Sequence, residues 1–455
     1  MLQKRRRSFM AKNDYIEIME KNHMEIPWHD YTENDSEVLI QQAGLIEKAS
    51  VVGRVGLIML SCGTGAWRVR TSMNRLSKEL GVTCTVDVGL MSIEFNCFDG
   101  KECVSQSLSI ANTGVNTSKL YRMEQFVNSF PSQEAHLTGE EIHKRLDEIE
   151  QIHELYSPVK LGLAAALACC GFTFLLGGGP VEMIFAFIAA GVGNLIRMKL
   201  IKHHYTLFLN IAVSISVACL TYAVCLHMAE LLLHVSAVHE AGYICSMLFI
   251  IPGFPFITSG IDLAKLDLRS GLERLTYSII IVLVATMFAW IMALLLKLQP
   301  QDFVALHLGS MMHLVLCLIA SFCGVFGFSI MFNSSVYIAA TAACIGAVAN
   351  TLRLELVDYT GMPSAAAAFI GALTAGLLAS IIKRNHGYPR ISLTVPSIVI
   401  MVPGLYLYRA IYNFGIMSLT EAVLWFAAAI MIIVSLPLGL IFARILTDRT
   451  FRYCS

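Results

Sequence analysis

PVKLGLAAALACCGFTFLLGGGPVEMIFAFIAAGVGNLIRMKL, residues 158–200, decides what kind of molecule this is. Between Val159 and Leu176 the one charged side chain is Lys160, and between Pro180 and Ile196 it is Glu182. At 1.5 Å per helical residue each run rises roughly 25–27 Å, near the lower limit for crossing a hydrocarbon core of about 30 Å. Eight more follow, near 205–229, 242–259, 275–297, 311–332, 335–350, 363–382, 394–412 and 419–444. The charges divide accordingly. Residues 1–157 hold 39 charged side chains, whereas the much longer 158–455 hold 27. The mean hydropathy of +0.64 therefore averages a soluble-type segment with a membrane region.

The loops orient the spans. With the N-terminus in the cytoplasm, the cytoplasmic loops carry Arg197, Lys199 and Lys202, then Lys265, Arg269 and Arg274, then Lys383, Arg384 and Arg390, and the tail adds Arg444, Arg449 and Arg452. The opposite face has Lys297, Arg353 and a loop, 230–241, without Lys or Arg. This asymmetry is what the positive-inside rule asks of ten spans with both ends in the cytoplasm. The basic run Lys4 to Arg7 is followed by Ser-Phe-Met-Ala-Lys-Asn-Asp and not by an apolar stretch of about 7–15 residues, so no secretory signal is expected. Thirteen cysteines include eight inside apolar runs; no CxxC pair or zinc spacing occurs, and they read as small buried side chains. A net charge of zero gives no sign of nucleic-acid binding.

Upstream, residues 1–40 are polar and aperiodic and are expected to be flexible. Helical periodicity from Gly44 to Ser61, interrupted by Lys48 and Arg54, predicts a core-facing helix, and a second is expected over 67–80. Three short strands (83–88, 92–98 and 103–110), with a turn at Asp99-Gly100, are followed by helix over 120–130. Thr138 and Glu141 then form a capping-box signature. The expected organisation is a flexible segment 1–40, an α/β domain 41–157, two membrane units 158–300 and 301–445, and a tail 446–455.

The two membrane units resemble each other. Gly191-Val-Gly-Asn-Leu-Ile-Arg-Met-Lys-Leu200 matches Ala347-Val-Ala-Asn-Thr-Leu-Arg-Leu-Glu-Leu356, Ile251-Pro-Gly-Phe254 matches Val402-Pro-Gly-Leu405, and Cys170-Gly171 matches Cys323-Gly324. Five spans per unit is an odd number, so the copies are expected to be inverted, as in many transporters.

The candidate site residues follow from this duplication. Pro252-Gly253 and Pro403-Gly404 should break their helices in mid-membrane, and unwound backbone there is tolerated only against protein or a water-filled cavity. Each break is either a ligand site for an anionic group or a plain kink. Arg409 could pair with a substrate carboxylate or reach toward the outer interface. Asn194 and Asn350 could line the pathway or join helices. Asp262 could gate or carry a proton, or be a solvated loop carboxylate. Glu182 and the histidines His227, His234, His239, His307 and His313 are open in the same way. Gly63-Thr-Gly-Ala-Trp-Arg68 lacks the GxxxxGK[ST] pattern of a phosphate loop, and no catalytic constellation, metal site or cofactor motif stands out.

Taken in order, several strings resemble the threonine/serine exporter family in its fused form. They are Gly53-Arg-Val-Gly-Leu-Ile-Met-Leu-Ser-Cys-Gly63, Trp67-Arg-Val69, Met73-Asn-Arg-Leu76, Leu137-Thr-Gly-Glu-Glu-Ile142 and Arg145-Leu-Asp-Glu-Ile149, then Gly177-Gly-Gly179, Ile251-Pro-Gly253, Gly260-Ile-Asp-Leu263, Ser270-Gly-Leu-Glu-Arg274, Val395 to Leu405 and Tyr408-Arg409. The resemblance implies proton-gradient-driven export of an amino acid or small carboxylate across the plasma membrane. The expected partners are that small carboxylate-bearing metabolite, protons, the lipid bilayer and, as a homo-oligomer, further copies of the same chain. Members with the halves on separate chains are associated with dicarboxylate export. Gly65 and Arg70 stand where the family commonly has glutamates. The expectation is thus a polytopic α-helical membrane protein, a threonine/serine or succinate-like exporter, with a membrane-anchored hydrolase or sensor as the alternative of another class.

Overall fold

The computed structural model describes residues 24–32, 38–134, 136–152, 154–234, 239, 241–300, 302–303, 306–386 and 388–453. The chain divides near residue 154 into two compact units.

The N-terminal unit is built round helix α1, Leu45–Ser61, whose residues from Ala49 to Leu60 are buried except Leu57. Helix α2, Ala66–Glu79, packs on it. Strands β1 (Thr83–Val88), β2 (Ser92–Phe98) and β3 (Cys103–Ser109) form an antiparallel meander in the order β1-β2-β3. Alternation on β2 turns Ile93, Phe95 and Cys97 inward, and α1 covers that face. Asp99 Oδ1 accepts the N–H groups of Lys101 and Glu102, both at 2.8 Å, which closes the β2–β3 turn. Helix α3 (Thr117–Ser129) and helix α4 (Gly139–Glu150) complete the unit, and the capping box at Thr138 and Glu141 is formed.

Arg54 is buried in this unit and pairs with two carboxylates of α4, Asp147 and, at 2.8 Å, Glu150. His143, one turn before Asp147, is also buried, and burial pushes its pKa down to about 4, so it is neutral near pH 7. Most of the expected flexible lead-in, 1–23 and 33–37, lies outside the described residues. The part that is described is packed: Trp28 stacks on His143, and Leu39 bridges Thr138.

The second unit is helical throughout its described residues. It comprises α5 (Pro158–Leu175), α6 (Pro180–Lys202), α7 (Leu207–Leu233), the short α8 (Gly242–Cys245), α9 (Gly253–Ala264) and α10 (Leu268–Leu296). After these come α11 (Ser310–Met331), α12 (Val336–Thr360), α13 (Ser364–His386), α14 (Arg390–Val399), α15 (Gly404–Gly415) and α16 (Leu419–Thr447). Eight of these helices are long and apolar enough to cross a membrane. Two further pairs, 242–250 with α9 and α14 with α15, pass the same test together and bend by 57° and 48°. A bend well under 90° turns the chain without reversing it, the geometry of one broken span, and counting each pair so gives up to ten candidate spans.

Two helices outrun their apolar segments. α12 continues to Thr360 and α10 begins at Leu268, so Arg353 and Arg274 lie on helices and not in loops. Helical hydrogen bonding continues through a charged turn wherever neighbours cover it, whereas hydropathy sees only the apolar stretch. The packing of the two halves corresponds element by element. α5 packs on α6 as α11 does on α12, α7 on α10 as α13 on α16, and α9 on α10 as α15 on α16. Between halves, α5 packs on α11, while α9 packs on α16 and α15 on α10.

Candidate substrate site

Both breaks have the same backbone. Pro252 has φ −81° and ψ 61°, Pro403 has φ −81° and ψ 56°, and each following glycine N–H reaches back 2.8 Å to the carbonyl two residues before it, Ile251 or Val402. These are inverse γ-turns: proline fixes φ and supplies no N–H, so the helix stops and restarts.

The breaks also interlock. A Cβ on Gly253 would lie 3.0 Å from Val399 and 3.2 Å from Val402; one on Gly404 would lie 2.8 Å from Leu248 and 3.3 Å from Ile251. Each glycine thus sits against the residues five and two positions before the other. Any side chain there would force the two turns apart. The void between them, about 10 Å³, is lined by apolar groups and is too small for a ligand.

A much larger cavity, about 480 Å³, lies over the second break. Its floor is Ile400 to Tyr406, including Pro403 and Gly404; its walls carry Arg353 from α12, Arg409 from α15, Trp425 from α16 and His313 from α11. Gly177 and the loop residues Asp302 and Phe303 border it as well. The Arg409 guanidinium lies 4.8 Å from the centre of the Trp425 ring, and its Nη2 donates to Asp302 Oδ1 at 2.8 Å. Asp302 is 90% exposed, so this ion pair is readily exchanged for another carboxylate. Arg353 Nε is buried without a hydrogen-bond partner among the described residues. Two arginines and the N-terminal end of α15 give the cavity the character of an anion site.

The sequence candidates are distributed unevenly about it. Pro403, Gly404 and Arg409 line the cavity, while Gly253 borders only the small void, next to Pro252. Asn194 and Asn350 join helices: Asn194 Nδ2 donates to the Leu161 carbonyl at 2.8 Å and Asn350 Nδ2 to Ser321 Oγ at 2.9 Å, in both cases from the second helix of a half to the first. Asp262 is fully buried, accepts from Ser270 Oγ at 2.9 Å and lies 3.3 Å from Arg274 Nε. His227, His234 and His307 are exposed, and His239 contacts Glu182.

Arg353 also lines the cavity and is absent from the candidates the sequence offers. Its alignment with Arg197 was visible, but its position past the apolar run made it read as a loop charge. In the N-terminal unit, Gly65 is the N-cap of α2 and Arg70 Nε donates to the Val86 carbonyl at 3.2 Å. Ser50 Oγ lies 3.0 Å from His143 Nε2, but both side chains are fully buried and Ser50 Oγ already donates to the Glu47 carbonyl. No group of metal-ligating side chains occurs among the described residues.

Eight to ten apolar helices, with an arginine-lined cavity over one of the two breaks, mark a multi-pass membrane protein. The chain belongs to the threonine/serine exporter family, ThrE, one model of which matches residues 50–297 and a second, described as "Threonine/Serine exporter, ThrE", residues 317–446. Among curated relatives it is 25% identical over 243 residues to the "Probable succinate transporter subunit YjjP" of Klebsiella aerogenes, and 24% identical to the protein of that name from Escherichia coli K12. Each match covers 52% of this chain and 89% or 90% of the relative. No solved structure matches.

Proposed function

We propose that the chain is a secondary exporter of a small carboxylate-bearing metabolite, driven by the proton gradient and working by alternating access between inverted halves. The observation that carries this reading is the 480 Å³ cavity, which sets Arg353 and Arg409 over the unwound turn at Pro403-Gly404. A carboxylate entering it displaces Asp302 from Arg409 and meets the N-terminal end of α15. The opposed breaks give the molecule two equivalent elements to rock about one centre, and the tight contact of Gly253 and Gly404 closes the path below the cavity. With both termini in the cytoplasm of a plasma-membrane protein, the cavity opens outward.

Threonine or serine is the substrate the family description points to. A succinate-like dicarboxylate is the second reading, favoured by one observation: two arginines serve two carboxylates better than a carboxylate and an ammonium. The relatives' name points the same way. The test is efflux from cells preloaded with labelled threonine, serine or succinate, compared with cells carrying Arg409→Ala. Loss of efflux with normal insertion supports the site; undiminished efflux removes Arg409 from it. The hydrolase or sensor reading has less support, since the buried Ser50–His143 contact has no access to a substrate.

A further inference from the structure

Glu182 is the third residue of α6 and is 1% exposed within an apolar bundle. Its Oε2 accepts the Gly179 N–H at 3.0 Å, which caps the helix. The cap does not account for the other oxygen. Oε1 lies 2.6 Å from His239 Nδ1, and the His239 carbonyl accepts from Tyr222 of α7 at 2.7 Å. A carboxylate this deeply buried in a membrane region is expensive to keep, and here its partner is a half-buried imidazole, 22% exposed, which leaves the pair a way to exchange protons.

The pair also stands directly behind the cavity. The turn it caps, Gly177–Gly179, has Gly177 in the cavity wall, and a Cβ on Gly179 would lie 3.6 Å from the wall residue Leu306. The titratable groups facing it are Tyr222 from α7 and Cys245 from α8. Cys245 is within electrostatic reach of both Glu182 and Arg409. Beyond the wall stand Asp302, His313, Arg353 and Arg409.

We infer that Glu182 and His239 are the proton-binding pair of the transport cycle, an inference that rests on the exporter reading above. With Nδ1 protonated and Glu182 ionised, the pair carries one negative charge. A proton taken up on Nε2 gives an imidazolium facing a carboxylate; shifted across the 2.6 Å contact, it gives a neutral acid and a neutral imidazole. Either way one negative charge disappears behind the wall, and the cap on α6 changes with it. For a proton to drive export, the protonated pair and the loaded cavity must belong to opposite half-cycles, and the change of the Glu182 cap on α6 is the element that couples them.

The experiment uses the full chain in proteoliposomes with labelled threonine, serine and succinate. It compares substrate-for-substrate exchange with flux driven by an imposed pH gradient. Glu182→Gln, whose amide oxygen still caps α6, should keep exchange and lose at least tenfold of gradient-driven flux; His239→Gln should do the same and serves where Glu182→Gln fails to accumulate. Gradient-driven flux that survives in both variants overturns the inference, as does parallel loss of exchange in correctly inserted protein, which marks a structural role. A wild-type chain that moves none of the three substrates defeats the exporter reading instead.

Discussion

At the scale of single residues, two arginines carry the account of transport. On the proposed reading Arg409 and Arg353 hold the substrate carboxylate, so removing either guanidinium removes a charge-assisted contact worth about 2 kcal/mol or more. Arg409→Ala and Arg353→Ala should each lower efflux at limiting substrate roughly 30-fold, with surface expression unchanged, and Arg409→Lys should fall between, because it keeps the charge and loses the fork. Arg54 is different in kind. It is buried against Asp147 and Glu150, and Arg54→Ala should destabilise the N-terminal unit by about 3 kcal/mol, read as a lower unfolding temperature of the purified chain. His29 makes a pH-dependent clasp: its bond to Glu140 is the chief cause of a pKa above the ordinary 6.5, opposed by burial and aided by Asp147. The same bond holds the Glu140 carboxyl below its ordinary 4.5. The histidine contribution is therefore full below 6.5 and fades as pH rises through the raised value; the glutamate contribution is full above 4.5 and fades as pH falls. The hydrogen-exchange protection of residues 24–32, taken relative to the intrinsic rate at each pH, should be greatest between those limits and smaller at pH 8, and His29→Ala should abolish that change in protection.

At the scale of elements, the two proline–glycine turns make the sharpest demand. Gly404→Val would put branched carbon where Leu248 already lies 2.8 Å from a bare Cβ, and Gly253→Val would meet Val399 at 3.0 Å. Both should cut transport severely while leaving the remaining helices inserted, which a protease-protection pattern identical to wild type would verify. Gly253→Ala should be the milder alanine variant of the two, since its closest approach is longer. These turns were legible because Pro and Gly announce themselves. The charged ends of α10 and α12 were not, since a window that averages hydropathy discards a final turn held by neighbours, and Arg353 was lost with it. Nor could spacing show that Asn194 and Asn350 tie helices together. Their shared position in the two repeats is as good a signal for a shared structural bond as for a shared pathway role.

At the scale of the whole molecule, the apolar runs announced the transmembrane class, and their number and rough placement survive in the eight long helices and two broken pairs. The cavity did not show in the sequence, because it is made by α11, α12, α15, α16 and the loop before α11, which come together only on folding. The two halves differ as sites: Arg409 aligns with Thr258 at the offset of the two breaks, so the anion site belongs to the second half. The central claim is that this cavity passes a small carboxylate outward under the proton gradient. The most direct test is efflux from cells preloaded with labelled threonine, serine and succinate, with and without a proton uncoupler. The account predicts efflux of at least one that the uncoupler abolishes and Arg409→Ala removes; retention of all three by cells bearing correctly inserted protein would contradict it.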